Sequence, residues 1–165
     1  MKKYLFTLSI VLLMGCLPIK AQYVSYTYKP LAAEGCSMYF SVVEKDSSYY
    51  IVATVSSDRL RFLDEPTMKI RTFNDDVLTL NGVIIGNDSE SMGIMAGVIM
   101  IPVSSISSTA QFEVTPEQFE MINSGVAKIR LSMSPMNHER TFKKDKIGKK
   151  LYKFYLKAKS QVDDF

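Results

Sequence analysis

Residues 47–73 read SSYYIVATVSSDRLRFLDEPTMKIRTF, and the spacing within them decides the fold class. Tyr49, Ile51, Ala53 and Val55 alternate with Tyr50, Val52, Thr54 and Ser56, the period of two that a β-strand imposes on its side chains. Leu60 and Phe62 alternate with Arg59 and Arg61, and Met68 and Ile70 with Lys69 and Arg71. Far downstream, Ile129, Leu131 and Met133 alternate with Lys128, Arg130 and Ser132. An apolar face backed by a charged or polar one predicts antiparallel strands that cover a core and are wetted outside. Turn residues punctuate the pattern at Asp46-Ser47-Ser48, Ser57-Asp58, Asp64-Glu65-Pro66, Asn74-Asp75-Asp76 and Gly86-Asn87-Asp88. Asn81-Gly82, between Val77–Leu80 and Val83–Ile85, predicts a two-residue hairpin because both residues accept positive φ. Many short strands with frequent turns predict a mostly antiparallel β-sandwich.

Two helices interrupt the strands. In FEVTPEQFEMINSGVAKIRL, Thr115 caps, Pro116 occupies the first helical position, Gln118 completes a capping box and Gly125 ends the helix. Phe119 and Ile122 share a face that plugs one end of the core. From Asp145, over residues 145–159, Ile147, Leu151, Phe154, Tyr155 and Ala158 fall on one helical face. Lys146, Lys149, Lys150, Lys153 and Lys157 fall around the other. Docking each large apolar side chain is worth roughly 1.5–3 kcal/mol gross. Attraction of a lysine to an anionic surface is worth about 1 kcal/mol and is screened by salt. The helix is therefore expected to dock on the β body and turn its lysines outward as an anion-binding face. Gly148 is expected to weaken its first turn by about 1 kcal/mol relative to Ala.

The stretch from Thr109 to Lys159, with TAQFEVTPEQFEMINSGVAKIRL followed by a basic segment and a Lys/Tyr-rich helix, resembles exported bacterial proteins of immunoglobulin-like β-sandwich type. The resemblance covers under a third of the chain. It implies a fold only and brings no catalytic residue.

The amino terminus sets the compartment. MKKYLFTLSIVLLMGCLPIKAQ has two lysines, a short apolar run and Ala21 before Gln22, which reads as a signal peptide over residues 1–21. Leu13-Met14-Gly15-Cys16 resembles a lipobox and offers a lipid-anchored alternative through Cys16, with Met14 a poor match. The expected product is a single domain over 22–165, exported to the periplasm or beyond, with no membrane-spanning helix. Removing Lys2, Lys3 and Lys20 leaves seventeen basic against seventeen acidic side chains. The charge is unevenly placed: residues 22–137 carry eight basic and thirteen acidic groups, residues 138–165 nine and four.

Catalytic chemistry finds no support in the sequence. One histidine, His138, cannot build a His-rich zinc site, and no GxSxG stretch is present. His138, beside Glu139 and Arg140, is expected on the surface or where a strand begins. Cys36, in GCSMYFSVV, is expected to be a buried, inert thiol. Asn74-Asp75-Asp76 and Asn87-Asp88-Ser89-Glu90 match no calcium loop. No metal, cofactor or catalytic residue is assigned, and export makes nucleic acid an unsuitable partner.

The expected function is a non-catalytic envelope module, interacting or structural, that binds another protein or an anionic polymer. A carrier of a small apolar ligand or a glycan is the alternative. It would use the run Met92 to Val103, with Met92, Met95 and Met100, or Tyr23, Tyr26 and Tyr28 of YVSYTYK. A hydrolase with an unrecognised site ranks third.

Overall fold

A computed structural model describes residues 22–28, 36–96 and 99–163, leaving aside the side chains of residues 28, 90–104 and 162–163. The chain is mostly β. Among the described residues ten strands run β1 (Val24–Tyr28), β2 (Cys36–Lys45), β3 (Ser48–Ser57), β4 (Arg61–Phe62), β5 (Thr67–Thr72), β6 (Val77–Ala96), β7 (Ile99–Glu113), β8 (Val126–Leu131), β9 (Met133–Ser134) and β10 (His138–Thr141). Helix α1 (Pro116–Asn123) links β7 to β8, and α2 (Gly148–Asp163) closes the described chain.

Eight strands form one antiparallel sheet in the order β1-β2-β3-β7-β6-β5-β8-β10; β4 and β9 pair separately. β6 joins the two halves of this sheet. Its residues 77–81 pair with β5 and residues 82–96 with β7. The mostly-β antiparallel class and the two helices are as the sequence predicts. The hydrogen bonding defines a single curled sheet; it does not divide the strands into two facing layers.

The Asn81-Gly82 hairpin is not formed. β5 turns into β6 at residues 73–76, where the Thr72 N–H donates to the Asp76 carbonyl at 2.9 Å and Asp75 takes φ of 66°. Asn81 and Gly82 lie inside β6, where it changes partner. A Cβ on Gly82 would lie 2.6 Å from both the Gln111 carbonyl oxygen and Phe112 Cδ1. The glycine serves a close crossing of β6 over β7, a use of the residue that local sequence cannot separate from a turn.

The core follows the alternation. Ile51, Ala53 and Val55 of β3, Met68 and Ile70 of β5, and Ile129 and Leu131 of β8 are all buried. Cys36, Met38 and Phe40 supply the inner face of β2. Thr115 caps α1 as expected: its Oγ1 accepts from the Gln118 N–H at 3.3 Å, and Gln118 Oε1 accepts from the Thr115 N–H at 2.9 Å. Phe119 and Ile122 are fully buried beneath the helix.

α2 docks on α1 and β2. Ile147, Leu151 and Tyr155 are buried; Phe154 and Ala158 are half-buried. The Tyr155 ring stacks on Phe119 at 4.4 Å and meets Tyr49 edge-on at 4.9 Å. The helix begins at Gly148, three residues after Asp145, and continues beyond Lys159 to Asp163. Asp145 is nevertheless its cap. Oδ1 accepts from the N–H groups of Gly148 (2.8 Å), Ile147 (3.3 Å) and Val126 (3.0 Å), and Oδ2 from Lys149 (2.9 Å).

Candidate functional site

The lysine face of α2 comes first because the docking of its opposite face creates it. Lys149, Lys150, Lys153 and Lys157 are exposed along the helix, and Lys146 is exposed in the turn before it. Among the described residues none of these five takes part in an ion pair. Asp145, the nearest carboxylate in sequence, is turned to the backbone. Burial pushes its carboxyl upward, but the four N–H donors outweigh this and hold it below the usual range.

A second basic surface lies on the outer face of β5 and β8. Register places Lys69 opposite Arg130 and Arg71 opposite Lys128, while Arg130 also faces Glu139 on β10. Glu139 bridges two of the cations, its Oε1 lying 2.6 Å from Lys128 Nζ and its Oε2 2.6 Å from an Arg130 terminal nitrogen. These hydrogen bonds, from Lys128 first and Arg130 second, keep its carboxyl below the usual glutamate range. Lys69 and Arg71 have no carboxylate partner among the described residues. A depression of about 170 Å³ opens between these side chains, with Val77 on its wall.

The sequence shows both halves of this surface as charged faces of alternating strands. It does not show that β5 and β8 are neighbours, because β6, β7 and α1 intervene along the chain. The sum over residues 22–137 is acidic, yet four of its eight basic side chains meet here.

His138 is not on the surface. It begins β10, as one of the two expectations had it, but is 1 % exposed. Its Nε2 lies 2.8 Å from the Tyr26 hydroxyl, and the two rings stack at 5.7 Å. Phe40 stacks on Tyr26 at 5.8 Å, and Phe142 meets it edge-on at 5.4 Å. Burial, with Arg140 adding to it, lowers the imidazole pKa to about 4. Burial, with Cys36 adding and Arg140 opposing, raises the Tyr26 phenol above its usual range. Both rings are thus neutral near pH 7, and the pair joins the first strand of the sheet to the last. The signal that could have placed His138 inside is its register with buried Leu131, which requires the pairing of β8 and β10.

Other sequence candidates separate. Cys36 is buried as expected, and burial raises its thiol pKa. Tyr23 and Tyr26 do not share a surface: Tyr23 is 59 % exposed beside Tyr39, while Tyr26 faces the core. The Tyr28 side chain lies outside the described residues. Asp76 Oδ2 accepts from the Thr72 hydroxyl at 3.4 Å in the β5–β6 turn. Among the described residues no cluster of three or more His, Cys, Asp or Glu is placed to hold a metal.

The run from Met92 to Val103 falls across two strands. It spans the ends of β6 and β7, which pair as far as Ala96 opposite Ile99. β3 backs β7 only as far as Ile106, whose β6 partner is Ser89. Among the described residues, the pairs from Glu90–Ser105 outward have no third strand beside them. Whether these side chains are buried, and the Met92, Met95 and Met100 pocket expected of a carrier, lie outside the described residues. Among the described residues no helix is long and apolar enough to cross a membrane. Comparison with protein-family models, curated proteins and solved structures finds no match to the chain.

Proposed function

We propose that this protein is a non-catalytic module of the cell envelope that holds an anionic polymer through the lysine face of α2. The observation that carries this reading is the division of the helix. Its apolar stripe is buried against the protein's own core, while five lysines remain exposed with no ion pair among the described residues. Several exposed ammonium groups on one rigid element give weak, additive attraction that fades over a Debye length. The signal-peptide character of residues 1–21 supports a role outside the cytoplasm in this reading.

The test measures binding to a heparin-like polymer and to anionic vesicles at low and high salt. Wild type is expected to bind at low salt and release at high salt, and Lys149/Lys150/Lys153→Gln to lose most of the binding. Identical behaviour of the two proteins sinks the proposal. Substitution is preferable to truncation at Lys144, because removing Ile147, Leu151 and Tyr155 would open the core.

A second reading, recognition of another envelope protein, draws on the β6–β7 arm. Beyond residues 1–21 it carries the most apolar run of the chain, on strand ends that pair only with each other among the described residues. Replacing residues 92–103 by a short turn should abolish partner capture if the arm recognises it; unchanged capture removes this reading.

A further inference from the structure

We propose that the outer face of β5 and β8 is a subsite for a tetrahedral dianion, a phosphate or sulfate group, seated among Lys69, Arg71, Lys128 and Arg130. Two independent observations converge on it. The first is register: two cation–cation pairs sit directly opposite one another on neighbouring strands. Opposed residues on antiparallel strands have Cβ atoms about 5 Å apart, and like charges so placed destabilise a sheet. Along each strand the two cations are separated by about 7 Å, two residues at about 3.3–3.4 Å each. Four positive groups therefore stand on a square narrow enough for their flexible stems to reach one small ligand.

The second observation is shape. The depression these side chains line has a volume of about 170 Å³, the share of roughly five or six waters in the liquid at about 30 Å³ each. That space accommodates a central atom with four oxygens. The two arginines supply planar forks that pair two oxygens at once, and the lysines supply mobile point charges.

Glu139 fits this arrangement as an orienting group. It ties Lys128 and Arg130 together from the β10 side and leaves Lys69 and Arg71 without a carboxylate partner among the described residues. Four cations against one carboxylate leave a net charge of +3 on the square. A doubly charged anion offsets most of that charge, whereas a single carboxylate group leaves it largely in place.

This subsite is separate from the lysine face of α2 and does not depend on it. The probes are inorganic phosphate and inorganic sulfate, titrated at low ionic strength and followed by calorimetry and by amide shifts at residues 69–71 and 128–130. Wild type should bind at least one of them, with acetate as the control that does not; the preferred anion identifies the group. Arg71→Gln/Lys128→Gln should weaken binding about tenfold or more with folding retained, since the opposed pair it relieves offsets the part-exposed Lys128–Glu139 ion pair it removes. Glu139→Gln should tighten binding several-fold. Lys149/Lys150/Lys153→Gln should leave it unchanged, so that failure of the helix reading and failure of this one are told apart. The proposal is overturned if neither anion moves those amides, or if Arg71→Gln/Lys128→Gln binds as wild type does.

Discussion

The Tyr26 hydroxyl lies 2.8 Å from His138 Nε2, across the 112 residues that separate them in sequence. This contact joins β1, the first strand of the sheet, to β10, the last. Tyr26→Phe removes the hydroxyl but keeps the ring against Phe40 and Phe142. The expected loss is about 1–3 kcal/mol, because the buried imidazole loses this hydrogen bond. Urea denaturation measures it, and a loss within error of zero would show that the seam is held by ring packing alone.

The same histidine makes stability depend on pH. Its folded pKa, about 4, is below the ordinary 6.5 because burial, and then Arg140, disfavour the charged ring. Between these values the unfolded chain binds a proton that the folded chain refuses, so stability rises with pH in that window. The contribution is fully present above pH 6.5 and declines as pH falls towards 4. Chemical denaturation from pH 4 to 7 should show this slope in wild type and a flatter one in His138→Gln. Asp145 acts in a lower range: its depressed pKa gives stability present above the unfolded value of 3.8 and lost as pH falls below it.

Asp145→Ala should cost about 1–2 kcal/mol at neutral pH, the usual worth of a helix cap. The loss is expected towards the upper end, because Val126 of β8 loses its acceptor along with the first turn of α2. Asp145→Asn should recover part of it. Equal stabilities for wild type and Asp145→Ala would remove the cap from the account of how α2 docks.

Gly148→Ala reverses an expectation from helix propensity, which would have it gain about 1 kcal/mol. An added Cβ would stand 2.7 Å from the Ile122 carbonyl oxygen, 2.8 Å from the Val126 nitrogen and 2.9 Å from Gly125 Cα. All three are backbone atoms with little freedom to give way. The variant should therefore be less stable than wild type, and a rise in Tm would contradict the close approach of α2 to the end of α1.

What the sequence revealed and what it concealed divide along one physical line. The alternation in β3, β5 and β8 and the capping box of α1 are local, and each appears where the residues place it. The inward stripe of α2 was equally legible, because a short amphipathic helix needs a covering surface. The Asn81-Gly82 turn failed because glycine answers two demands, positive φ and close approach, and only neighbouring strands reveal which applies. His138 and the Lys69/Arg71/Lys128/Arg130 square were hidden for a related reason. Their surroundings are set by strand order, and strand order joins residues that the chain keeps far apart.

The β6–β7 arm, which pairs with no third strand among the described residues, also provides a measuring rod. From Ser89 to Ala96 is seven residues, roughly 23 Å at about 3.3 Å per residue. Cys36 is sealed in the core, so a cysteine introduced at Ala96 in the chain from Gln22 onward would accept a fluorophore or spin label alone. Energy transfer between that label and a dye on a bound partner would report where on the molecule the partner sits.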